Sequence, residues 1–339
     1  MTALPAVQQA AMPAVQKAAR AAVAVLCVLG AAVQAWGWAP VVRVFPGPAV
    51  LAVILQLPLA GLGFWLIRHL RPIRAPARSW SAVAVIWGLA AAAGFAGVAN
   101  EGLLAIWART AGIGFASHWS AALSAPLNEE ILKLCGVVLI IVAAPLLIRG
   151  PVDGLVYGAL VGLGFEVSEN IAYGLQAIVQ FGATNPPEAV YVTAVIRDLT
   201  GPGSHWAITA VAGAGLGYLA ARGRRGVAPA LALVVAAMLM HLLFDSPGIS
   251  AFVKIAVNFA AVTVLYLFLR RGYLARARDV VAGWTAAGSV ASDEAAILLR
   301  CRARRNVLRQ VPSIGQREDL VARWAGLLAE VESQAASSG

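Results

Sequence analysis

Eight runs of about 20 predominantly apolar residues recur along the chain, at roughly 20–40, 48–68, 80–107, 126–148, 153–181, 189–221, 227–247 and 250–270. Each is long enough to cross a hydrocarbon core of about 30 Å as a helix. Lipid offers no hydrogen-bond partners, so a lone spanning segment must satisfy its backbone internally, which the α-helix does. The expected fold is therefore all-α: a polytopic transmembrane helix bundle of about eight spans with a small cytoplasmic helical tail. Composition agrees, since 60% of the residues are hydrophobic and 12% charged, against about a quarter charged in soluble domains. The 33 Gly and 17 Pro suit helices whose neighbours repair a freed backbone group. Cys27, Cys135 and Cys301 lie far apart and suggest neither a disulfide framework nor a metal site.

The net charge of +10 is explained by topology, not by nucleic acid, because Lys and Arg in short loops stay on the cytoplasmic side. With the N-terminus inside, the inner loops are Arg68–Arg78, Arg149–Asp153, Arg222–Arg225 and the tail opening at Arg270-Arg271. The outer loops hold Arg43 and Arg109, and the loop Gly182–Glu188 carries no base. Both termini are thus expected in the cytoplasm of a multi-pass protein of a bacterial plasma membrane. The first run follows Lys17 and Arg20 and ends in small residues, so a cleaved signal peptide is the alternative to a first span. Segment 108–125 reads as a short interfacial or re-entrant helix. Three regions are expected: N-terminal helices over 1–107, a core over 108–270 and a tail over 271–339. The tail should hold amphipathic helices at Asp293–Arg309 and Glu318–Val331, its arginines lying against anionic lipid or solvated, before a disordered end at Ser333–Gly339.

A charge at the bilayer centre costs several kcal/mol, which makes ionisable residues within spans functional candidates. They gather in four of the predicted helices. The fourth opens with Ala125-Pro126-Leu127-Asn128-Glu129-Glu130-Ile131-Leu132-Lys133, where Lys133 can pair with one carboxylate and leave the other free. A solvated helix cap at the membrane surface would also account for this stretch. Glu166, Glu169 and Asn170 lie within the fifth run, where packing alone does not explain them. His205 precedes a face of Gly213, Gly215 and Gly217 in the sixth, suited to close helix contact. His241 and Asp245, spaced i and i+4, project from one face of the seventh. At about 1.5 Å per residue, Glu169 lies about 24 Å and His241 about 21 Å along helices that start inside, so these motifs converge in the outer half of the membrane.

Imidazoles with a carboxylate are the usual ligands of a catalytic zinc that keeps one position open for water, and a further glutamate can act as base on that water. His205, His241 and Glu169 are the candidate ligands of a divalent metal, zinc being the expected ion, with Glu129 or Glu130 as base. Glu166, Asn170, Asp245 and Lys133 are supporting groups.

The ordered set Ala125–Lys133, Gly164–Asn170, His205 and His241-Leu242-Leu243-Phe244-Asp245, with Tyr157-Gly158 and Tyr173 between, resembles the PrsW-type intramembrane proteases over roughly 120–250. These are distantly related to the CAAX prenyl proteases. The resemblance implies peptide-bond hydrolysis near the outer membrane face, with Glu129 and Glu130 catalytic and the histidines as metal ligands. It also implies a membrane-anchored protein or peptide as substrate, because such proteases release anti-sigma factors in regulated proteolysis. Glu169 stands where the CAAX branch has a histidine, which argues against prenylated substrates. A proton- or cation-coupled transporter is the main alternative, since buried carboxylates and His also form proton relays, although inverted repeats are not apparent. An inactive scaffold is the third.

Overall fold

The computed structural model describes residues 6–181 and 183–337, and among these every regular element is helical. In chain order they are α1 (Ala6–Val44), α2 (Pro46–His69), α3 (Arg78–Ile86), a π-helical stretch (Trp87–Ala92), α4 (Ala93–Thr110), α5 (Ile113–Ala143) and α6 (Pro151–Gln180). Then follow α7 (Pro186–Thr200), α8 (His205–Arg222), α9 (Val227–Asp245), α10 (Ala251–Ala286), α11 (Ser292–Leu298), α12 (Cys301–Gln310) and α13 (Ile314–Ser337). Gly182 of the expected base-free loop, and Ser338 and Gly339 of the expected disordered end, lie outside the described residues. Ser333–Ser337 continue α13 as helix.

Five segments are long and apolar enough to cross a membrane: Pro13–Val44, Pro46–His69, Arg78–Thr110, Pro186–Asp245 and Ala251–Ala286. The chain is thus a membrane protein by length and composition. The fourth segment, of 60 residues, contains α7, α8 and α9. The long helices α5 and α6 fall outside this set because they carry the carboxylates and lysine of the interior, which lower their apolarity. Large apolar side chains face outward on the surrounding helices, among them Trp36, Leu62, Leu239 and Phe252. Lipid contact requires such a surface, which water would penalise.

The axis of the bundle is α6, where each residue from Pro151 to Ser168 is buried. Its stripe Gly154, Gly158, Gly162 lies against α8, where added Cβ atoms would run into the backbone carbonyls of Gly213, Thr209 and His205. Small residues four apart bring two backbones into contact in this way. Gly213 and Gly217 complete that seam from α8, whereas Gly215 faces Ala230 of α9. Trp87 of the π-helical stretch is buried, packs on Gly136 and donates from Nε1 to the Leu132 carbonyl at 3.0 Å, bracing the middle of α5.

Several sequence expectations change here. Segment 108–125 is not a separate interfacial helix: 108–110 end α4 and 113–125 are the first turns of α5, which puts Pro126, Glu129 and Glu130 inside a helix rather than at its start. Proline is accommodated because neighbouring helices cover the gap it leaves in the backbone ladder. The run 189–221 is two helices, since Gly201-Pro202-Gly203 breaks it and Asn258 Nδ2 donates to the Gly203 carbonyl at 3.0 Å. The expected boundary at 270/271 falls within α10, and the stretch 293–309 breaks near Arg300 into α11 and α12.

The C-terminal helices cluster around Ile73, Val281, Leu298, Trp324, Leu328 and Val331. Glu332 fastens α13 to the core, accepting from Arg74 at 2.6 Å and from Arg71 at 3.0 Å, while Arg71 also pairs with Asp153 of α6 at 2.6 Å.

Candidate active site

Midway along α5, Glu129, Glu130 and Lys133 are all buried. Lys133 Nζ donates to Glu130 Oε1 at 2.8 Å and lies 3.3 Å from Glu129 Oε2, so one ammonium serves both carboxylates. Its positive charge also rests over the Phe165 ring, 3.9 Å from the centroid. Buried charges of this kind persist only when paired and hydrogen-bonded. Glu130 is fully engaged: Oε1 also accepts from His241 Nδ1 at 3.1 Å, and Oε2 from the Thr209 hydroxyl at 3.0 Å. Glu129 is less so. Its Oε1 accepts from Asn100 Nδ2 at 2.9 Å, leaving Oε2 to face the imidazoles, 3.6 Å from His241 Nε2 and 3.8 Å from His205 Nδ1.

The break at Gly201–Gly203 makes His205 the first residue of α8, and the glycine seam presses it against α6. Its Nε2 meets Glu169 Oε2 at 2.8 Å, while Nδ1 accepts from Lys133 at 2.9 Å. The two imidazoles therefore follow one rule. Each has a carboxylate on one nitrogen, Glu169 for His205 and Glu130 for His241, and turns the other toward Glu129. Carboxylate–histidine pairs fix tautomer and ring direction around metal ions in this fashion.

Glu129, His205 and His241 can each offer one ligand atom within 4.8 Å of the others, so the carboxylate of this group is Glu129, whereas Glu169, the ligand expected from sequence, pairs with His205 Nε2. His241 Nε2 is buried without a hydrogen-bond partner among the described residues, which is how a nitrogen awaiting a cation looks. An imidazole pair with a carboxylate is also the donor chemistry that a divalent metal favours. The residues present fit such an ion.

Of the residues singled out from sequence, Glu129, Glu130, Lys133, Glu169, His205, His241 and Asp245 come together here, Asp245 Oδ2 lying 3.5 Å from His241 Nε2. Glu166 does not join them. Its carboxylate is buried against Gly201, beside the start of α8. Asn170 also turns away, donating to Gln56 at 2.9 Å and accepting from Arg197 Nε at 2.7 Å. The side chains of Glu169, Asp245 and Arg197 are 21%, 21% and 17% exposed, so they form the mouth of an otherwise closed site.

Sequence reasoning missed Arg197, Asn100 and Thr209. Arg197 holds Glu169 by an ion pair, stacks on Tyr173 with 4.5 Å to the ring centroid, and ties both to Asn170. The signal was available, because Arg197-Asp198 interrupts a run read as one span. Asn100 and Thr209 gave no signal, being ordinary polar residues on helices.

The profile of the PrsW family intramembrane metalloproteases matches residues 76–270, more than half of the chain. The chain belongs to this family. The match begins just before α3 and ends within α10, so it takes in all of the residues that meet around Glu129. This PrsW family member is an intramembrane protease of the metallo type, and its Glu/His/His group is suited to hold the metal. No curated protein and no solved structure matches the chain.

Proposed function

We propose that this PrsW family protease hydrolyses a peptide bond of a membrane-anchored protein close to the outer face of the membrane, using water activated by Glu129. The observation that carries this reading is the convergence of the two imidazoles on Glu129 Oε2, each backed by its own carboxylate. Glu129 takes the proton of the attacking water through Oε2 and delivers it to the leaving amine, as a positioned carboxylate does in general acid–base catalysis. Asn100 anchors the other oxygen and so keeps Oε2 toward the histidines. Glu130 and Glu169 orient the rings, and Lys133 balances the charge of the glutamate pair. His205 and His241 would hold a divalent metal beside Glu129, zinc by the chemistry of the set, which when bound would polarise the scissile carbonyl and acidify the water.

Eight spans with both ends on the cytoplasmic side fit this reading, with α5 and α6 as spans whose polar faces point into the bundle. The basic loops assigned to the inner face support it, since Arg71, Arg149, Arg222 and Arg271 line one cavity at the end of the bundle away from Asp245. A bacterial plasma membrane and a regulated substrate such as an anti-sigma factor complete the proposal.

The test is cleavage of a membrane-anchored reporter in proteoliposomes, together with metal analysis of the purified protein. Glu129→Gln should lower turnover by roughly 10²–10⁴-fold. His205→Ala and His241→Ala should lose both turnover and bound metal. Undiminished proteolysis in all three variants overturns the mechanism. Equal metal content in wild type and both histidine variants overturns the metal assignment and leaves a glutamate mechanism.

A further inference from the structure

A second cavity, of about 360 Å³, lies far from the glutamates, where the loops α2–α3 and α5–α6 and the C-terminal end of α8 meet α10 and α13. Its polar wall is strongly basic, being lined by Arg71, Arg149, Arg222, Arg271 and Arg276, with Asp153 and Glu332 as the acids. Those two carboxylates are already committed to Arg71, Arg74 and Arg149. Among the described residues, Arg222, Arg271 and Arg276 have no carboxylate within ion-pair distance. Arg276 donates to the Ala335 carbonyl at 3.1 Å, and Arg222 rests 5.1 Å from the Tyr218 ring centroid. Three guanidiniums without a carboxylate partner at one cavity are ready donors for an anionic group that reaches it.

The rest of the wall is apolar. Tyr218, Leu269 and Tyr273 line it, and Phe268, 68% exposed, continues it onto the outer surface of α10, a candidate membrane span. A free inorganic anion has no use for such a wall. A phosphodiester carrying acyl chains matches both parts, with the phosphate among the arginines and the chains along Phe268. Basic pockets between transmembrane helices bind lipid headgroups on this principle.

We propose that this cavity binds the headgroup of an anionic phospholipid, so that the lipid joins the loops and α10 at the foot of the C-terminal helices. The site is separate from the glutamate–histidine cluster and does not depend on its chemistry.

Native mass spectrometry of the full-length protein in detergent, titrated with phosphatidylglycerol or phosphatidylcholine, tests it. Wild type should retain one phosphatidylglycerol and little phosphatidylcholine, and excess sodium phosphate should not displace the lipid. The double variant Arg222→Gln/Arg271→Gln should bind phosphatidylglycerol roughly 30-fold more weakly, about 2 kcal/mol at about 1 kcal/mol per basic side chain. These arginines have no protein ion pair to lose, and an unchanged unfolding temperature without lipid verifies the fold. Arg224→Gln/Arg225→Gln removes the same charge from the adjoining turn, outside the cavity, and should bind like wild type. Equal retention by both double variants, or equal loss, overturns the site. Comparable binding of phosphatidylcholine overturns the charge selectivity, and displacement by phosphate assigns the cavity to a free anion instead.

Discussion

Glu129 and Glu130 are adjacent in sequence and differ in surroundings. Glu130 has donors on both oxygens, from Lys133, His241 and Thr209. Replacing Thr209 by Val keeps the shape and removes one donor, leaving a buried carboxylate oxygen short of a partner at a cost of about 1–3 kcal/mol. The expected result is a lower unfolding temperature in detergent and a turnover reduced by about tenfold with KM unchanged. An unaltered kcat would show that Glu130 does not orient His241. At the mouth, the Arg197–Glu169 pair is mostly buried, so removing the guanidinium leaves a carboxylate short of its charge partner, which is destabilising. Arg197→Gln should therefore lower the unfolding temperature and also turnover. Arg197→Lys should recover little of it, because a single ammonium cannot hold Glu169 and Asn170 as the guanidinium fork does. Full activity in Arg197→Lys would count against that positioning role.

At the scale of elements, the α6–α8 seam decides whether His205 reaches Glu169. Gly158→Ala places a methyl group against the Thr209 carbonyl, backbone that cannot step aside, and should cost about 1–3 kcal/mol with loss of turnover. Gly97→Ala in α4 meets open space and should be neutral or stabilising by up to about 1 kcal/mol, which thermal unfolding of the two variants side by side will show. Similar behaviour of the two would mean that the seam has slack. The helices themselves were legible wherever an apolar run matched a single element, as in α2, α6 and α9. They were misread where local signals compete with tertiary cover. Pro126 suggested a helix start, yet packing carries α5 through it. Gly201-Pro202-Gly203 breaks the 189–221 run, and the charged pair Arg197-Asp198 just before it was the warning.

For the whole molecule, Glu332 is the main polar link between the C-terminal helices and the membrane core, with Arg71, Arg74 and Tyr273 around it. Glu332→Gln leaves two guanidiniums with weaker partners and should cost about 1.5–3 kcal/mol at that contact. Trypsin should then cut faster in the arginine-rich stretch 300–309, and gel electrophoresis over a digestion time course measures it. Cleavage at the wild-type rate would mean that the apolar cluster around Trp324 and Leu328 suffices to hold the tail.

The sequence by itself determined that the chain is helical and lives in a membrane, because run length and composition are local properties of contiguous residues. It also singled out candidate ionisable groups, since charges within apolar runs are costly wherever those runs lie, although Arg197 escaped it and Glu166 lies apart from the cluster. Only the tertiary structure decided how the groups pair. His205 and His241 are 36 residues apart, and their partners Glu169 and Glu130 lie on other helices. Which nitrogen meets which oxygen depends on helix rotation and on backbone contact through glycines, neither of which spacing along the chain encodes.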